Sequence, residues 1–75
     1  MTQIGEQMMI KICNFVEWEL QKFREECNFT EEELEYFNLK AKDMTNTAVA
    51  LKMNISEPKV SVLARKVRKK IMKVL

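Results

Sequence analysis

From Thr2 to Asn28 the apolar positions Ile4, Met8, Ile12, Phe15, Val16, Leu20, Phe23 and Cys27 recur at three- and four-residue steps, the period of an amphipathic helix. The spacing predicts one continuous helix, about 40 Å long at the usual rise per residue. That exceeds the small bundle the other residues can build, so part of it is expected to protrude or to pair with a second copy. Ile10 and Trp18 fall off the stripe, with Met9 and Cys13 at its edge. They read either as scattered surface apolar residues or as a dimer contact, where Trp is favoured.

Thr30 marks the next start. Followed by Glu33 it forms a capping box, Phe29 and Leu34 stand at the positions of a hydrophobic staple, and Glu31, Glu32 and Glu33 suit the positive end of a helix dipole. Adjacent glutamates point around a helix and do not converge, so this run reads as solvated and dipole-stabilising, not as a metal or catalytic cluster. The pattern buries Leu34, Phe37 and Ala41, covers Tyr36 and Leu39 in part, and ends near Lys42 and Asp43, where Asp can take the left-handed conformation. Thr45 or Asn46 then caps a short helix, Thr47 to Met53, with Val49, Ala50 and Met53 inward and Asn54 as its stop. Ser56 caps a fourth helix whose first turn accepts Pro58. Val60, Leu63, Ala64, Val67, Ile71 and Val74 make its buried stripe, and Lys59, Arg65, Lys66, Arg68, Lys69, Lys70 and Lys73 lie outside it.

Composition narrows this to an all-α, single-domain chain. Of 75 residues one is Gly and one is Pro, leaving little punctuation for anything but helices with short connections, and 47% hydrophobic with 32% charged residues is a globular balance. No apolar run approaches the roughly 20 residues of a membrane span. The N-terminus also lacks the basic start and apolar centre of a signal peptide, so a cytoplasmic location is expected. Cys13 and Cys27 lie too far apart on one helix for a disulfide and read as small apolar core residues. With no histidine, no glycine-rich phosphate loop and no metal-ligand spacing, no catalysis, cofactor, metal or small-molecule substrate is expected.

Charge is distributed unevenly. Met1 to Asp43 holds five Lys or Arg against ten Asp or Glu, whereas Met44 to Leu75 holds eight against one, within an overall charge of +2. A basic half joined to an acidic half is the footprint of a surface that meets phosphate on one side only.

Between Val49 and Leu63 four devices agree. Ala50 is small where two helices must approach, Asn54 tolerates positive φ four residues later, Ile55 plugs the turn, and Val60 and Leu63 return the last helix onto Val49 and Met53. The run VALKMNISEPKVSVLARKVRKKI, preceded by FTEEELEYFNLKAKDMTN, resembles the tetrahelical helix-turn-helix of LuxR-type response-regulator effector domains and of the C-terminal promoter-reading region of bacterial sigma factors. The likeness covers Phe29 to Leu75, taken as the tetrahelical core, with residues 1–28 as the long preceding helix. It departs at Asp43, where those families usually have Gly, and at Pro58 and Val62, which replace commonly polar positions. Within these 75 residues no receiver domain or polymerase core-binding region is expected, so the resemblance does not imply regulation by those routes.

The resemblance implies a bacterial or phage regulator of transcription that binds double-stranded DNA with the helix Glu57 to Val74 in the major groove, as a homodimer on a two-fold site. Glu57, Pro58, Ser61, Val62 and Arg65 would meet bases, with Arg65 donating to guanine, Glu57 accepting from cytosine, and Val62 or Pro58 packing on a thymine methyl. Lys59, Lys66 and Lys69, with Thr45, Asn46 and Thr47, would hold phosphates. The alternatives are a protein-interaction module that binds RNA polymerase or another regulator through the acidic N-terminal helices, and non-specific nucleic-acid or RNA binding through the basic helix.

Overall fold

Three left-handed residues divide the chain. Asn28, Asp43 and Asn54 have φ of 55°, 63° and 60°. Each follows a helix, the position where Gly is usual and where Asn and Asp are the next best tolerated. In the computed structural model, which describes residues 11–75, the result is all-helical. A 3-10 turn, Ile12–Asn14, precedes α1 (Glu17–Glu26), α2 (Glu31–Ala41), α3 (Asn46–Met53) and α4 (Glu57–Val74), and no strand occurs among the described residues.

The long N-terminal helix is not continuous over the described residues. Phe15 and Val16 are extended, with ψ of 146° and 166°, and α1 begins only at Glu17. The cause is packing. Eight residues apart on one helix, Phe15 and Phe23 would stand about 12 Å apart along its axis, whereas their rings meet edge to face at 4.9 Å. Breaking the helix folds Phe15 back onto the core, and the Glu19 carboxylate fixes the new start by accepting the Val16 N–H at 3.0 Å. Val16, placed on the apolar stripe by periodicity, is 53% exposed. The part of the predicted helix before Lys11, with Ile4, Met8, Met9 and Ile10, lies outside the described residues. Phe29 to Leu75 contains three helices, so α1 supplies the fourth.

The remaining boundaries follow their caps. Thr30 Oγ1 accepts the Glu33 N–H at 3.2 Å while the Glu33 carboxylate accepts the Thr30 N–H at 3.0 Å. Thr45, not Asn46, caps α3 by accepting from Ala48 N, and Ser56 caps α4 by accepting from Lys59 N. After α3, the Ile55 N–H reaches Ala50 O at 3.0 Å and the Asn54 N–H reaches Leu51 O, a Schellman closure with Asn54 in place of Gly.

Along α4 the stripe Val60, Leu63, Val67 and Ile71 is buried against α1, α2 and α3. Phe37 of α2 is fully buried at the centre, with the Phe29 ring 5.0 Å away, the Phe23 ring 6.3 Å away and the Arg24 guanidinium 5.6 Å from its centroid. Tyr36 and Leu39 are more deeply buried than their spacing suggested, and Leu34 and Ala41 less, because α2 is covered on one flank by the 3-10 turn. Cys27 joins this core, whereas Cys13 is half-buried with its thiol 3.4 Å from Asp43 Oδ1; both are free.

Glu33 departs most from expectation. It is only 4% exposed, and its carboxylate takes the Lys70 ammonium as well as the Thr30 N–H. Burial alone would push this carboxyl up. The Lys70 hydrogen bond, the Thr30 N–H and the charges of Lys70 and Lys66 outweigh it and hold the carboxyl below the usual glutamate range. Stability from this contact is therefore complete above that range and is lost as pH falls through the lowered value. Lys70→Met, which strands the buried carboxylate, is expected to cost roughly 1–3 kcal/mol in urea unfolding at neutral pH. The deficit should shrink in acid, where Glu33 is protonated in both proteins. A pH-independent deficit would assign the loss to the lysine stem instead.

Candidate functional site

At 100° per residue, burying Val60, Leu63, Val67 and Ile71 forces Pro58, Val62, Arg65 and Lys69 onto the opposite side of α4. All four are exposed, as are Ser61 and Lys66 on the flanks of that face. The cations of α4 then separate by partner. Lys70 turns inward to Glu33 and to Asn28 O, and Lys59 lies 3.8 Å from Glu32 across an exposed gap. Arg65, Lys66, Lys69 and Lys73 make no ion pair or side-chain hydrogen bond with any described residue. The Lys59 pair is a surface contact of the kind worth about 0–1 kcal/mol, so it leaves that lysine recruitable.

The residues expected to contact DNA are brought together in two groups. Thr47 Oγ1 donates to Glu57 Oε2 at 3.2 Å, tying the start of α3 to the start of α4 beside Pro58 and Ser61. Thr45 spends its hydroxyl on its cap, Thr47 gives its hydroxyl hydrogen to Glu57, and Asn46 Oδ1 accepts from Lys40 Nζ at 3.2 Å, so the amide nitrogen of Asn46 remains the freer side-chain group at the start of α3. Lys59 and Lys66 lie on the flank toward α2, away from α3. Lys73 was not singled out from the sequence, although its place four residues beyond Lys69 and seven beyond Lys66 puts it on the same side. With Lys66, Lys69, Lys70 and Glu33 it lines a shallow groove of about 210 Å³.

A second concavity lies on the other flank of α4, where Tyr36 and Arg68 meet Lys11 and Lys40. Burial raises the Tyr36 hydroxyl pKa, against the pull of Arg68, so this phenol stays a donor at neutral pH. Burial likewise raises the Cys27 thiol, reinforced by Glu26 and opposed by Lys70, which fits a core thiol and not a nucleophile.

Among the described residues no group of three His, Cys, Asp or Glu could hold a metal ion, and no helix is long and apolar enough to cross a membrane. Compared with known proteins, the chain matches no family model, no curated protein and no solved structure.

Proposed function

We propose that the chain is a sequence-specific double-stranded DNA-binding regulator of transcription. In this reading α3, the turn Asn54–Ser56 and α4 form a helix-turn-helix, and α4 enters the major groove. What supports it is the uncompensated outer face of α4, where Arg65, Lys66, Lys69 and Lys73 lack partners among the described residues while Pro58, Ser61 and Val62 stand exposed at its start. A cationic helix with small and apolar groups at its leading end suits a groove walled by phosphates and floored by base edges. Arg65 donates to a guanine edge, Val62 and Pro58 pack on thymine methyls, and Glu57, steadied by Thr47, accepts from a cytosine amino group. Lys66 and Lys69 hold phosphates, joined at the start of α3 by the backbone N–H of Thr47, whose hydroxyl is committed to Glu57.

Selection of bound duplexes from a random pool tests this directly. Arg65→Ala is expected to relax the preference at one base pair, a loss of about 1–3 kcal/mol for the preferred base, whereas Lys69→Ala weakens all sequences alike. A selected pool identical for the native chain and Arg65→Ala would remove α4 from the groove.

Two copies on a two-fold site would supply the buried area that one small module lacks. Trp18 is 69% exposed and adjoins exposed Glu17 and Val16, a patch suited to self-association. Sedimentation is expected to give twice the monomer mass, and Trp18→Ala to return the monomer. A concentration-independent monomer would rule out the dimer; in the second reading α1, with Trp18 among its glutamates, docks on polymerase or another regulator.

A further inference from the structure

Three cations from three separate elements face one small cavity. Lys11 precedes the 3-10 turn, Lys40 stands in the last turn of α2 and Arg68 lies midway along α4; with Tyr36 and Asn46 they line a space of about 190 Å³. That is many times the roughly 10–15 Å³ a single water needs. The one carboxylate present, Asp43, already accepts the Cys13 thiol at 3.4 Å. Lys40 donates to Met44 O at 2.8 Å and to Asn46 Oδ1, both neutral, so its charge is not cancelled.

The donors are the telling part. Arg68 is half-buried, yet its guanidinium makes no hydrogen bond or ion pair with any described residue. Tyr36 is 5% exposed, and its hydroxyl has no partner among the described residues although the side chain lines the cavity. No buried side-chain nitrogen or oxygen among the described residues lacks a partner, so both groups keep access to water in the cavity, where a guanidinium with a phenol offers six donors. A smaller neighbouring cavity of about 30 Å³ shares Ile12, Tyr36, Ala64 and Arg68 with it and adds Val67 and Ile71, so one flank of the site is low in dielectric, which strengthens any charge contact made there.

We infer that this cavity binds a phosphate group, held by Arg68, Tyr36 and Lys11 beside the first turn of α3. Three cations against one anion leave an excess of about two positive charges. That is enough for a phosphate monoester of about −1.5 to −2 at neutral pH and more than enough for a backbone phosphodiester of about −1, and phosphate oxygens suit the guanidinium fork. The group comes either from a small phosphorylated molecule or from a nucleic-acid backbone, and the inference stands without duplex binding.

The test is a titration of inorganic phosphate into the full chain at constant ionic strength, followed by backbone amide NMR shifts. Saturable shifts are expected at Tyr36, Asn46 and Arg68, with chloride unable to reproduce them. Arg68→Gln should raise the Kd about tenfold or more, and Tyr36→Phe, which keeps the core ring and removes only the hydroxyl, about tenfold. Unsaturable shifts, shifts centred on Lys66, Lys69 and Lys73, or a Kd unmoved in Tyr36→Phe would overturn the site. Adding duplex to the phosphate-loaded chain then separates the sources: competition identifies a backbone phosphate, and simultaneous binding a small phosphorylated molecule. Either result upholds the phosphate chemistry.

Discussion

Phe37→Ala is expected to remove roughly half of the stability of this domain. Truncating a buried phenylalanine costs about 3–5 kcal/mol, against a total of roughly 4–11 kcal/mol for 75 residues at the usual stability per residue. Phe37 is fully buried and takes the Phe23 ring edge-on, the Phe29 ring at a tilt and the Arg24 guanidinium over its face. The first two contacts join α1 and the α1–α2 connection to α2, so the cavity would sit where α1 is fastened to the rest. Urea unfolding followed by far-UV circular dichroism should show the midpoint falling, with Phe37→Leu retaining more than half of the lost stability because the leucine still fills the site. A loss below about 1 kcal/mol would mean that α1 collapses freely onto α2 and that the aromatic cluster is not what unites them.

The same cluster shows what could and could not be read from the residues alone. Caps are local: Thr30 with Glu33, Thr45, Ser56 and the left-handed Asp43 and Asn54 each depend on a few neighbouring atoms, and all form as their side-chain chemistry requires. The break before α1 is not local. Ile12, Phe15, Leu20, Phe23 and Cys27 satisfy helical spacing whether or not the chain bends, and the bend is decided by where Phe15 finds Phe23. Glu33 carries a similar lesson. Its role in the cap was legible three residues away, but its burial depends on Lys70, 37 positions later. On α4 the outward face followed from the buried stripe, whereas the division of its cations into paired and unpaired needed the position of α2. Arg68 and Tyr36 were invisible as a pair, since only packing of α2 on α4 brings them to one cavity.

Salt should weaken duplex binding steeply, and the steepness counts the copies on the site. If Lys66, Lys69 and Lys73 each neutralise one phosphate while Arg65 meets a base, the slope of log affinity against log salt is about −3 for one chain and about −5 for two. Between roughly 50 and 200 mM salt that is a fall of about 40-fold or about 2,000-fold. Lys70 adds little to either figure, because its charge is already met by Glu33. Lys59 contributes only as far as it leaves Glu32, so Lys59→Gln should change the slope less than Lys69→Gln, which removes about one unit per chain. Fluorescence anisotropy with a labelled duplex at several salt concentrations measures all of this in one series. Replacing Arg65, Lys66, Lys69 and Lys73 together with glutamine leaves the buried stripe and the caps untouched, so the fold should persist by circular dichroism while retention of duplex is lost. A folded quadruple variant that still binds with the native slope would place the phosphates elsewhere and end the case for α4 as the DNA-reading helix.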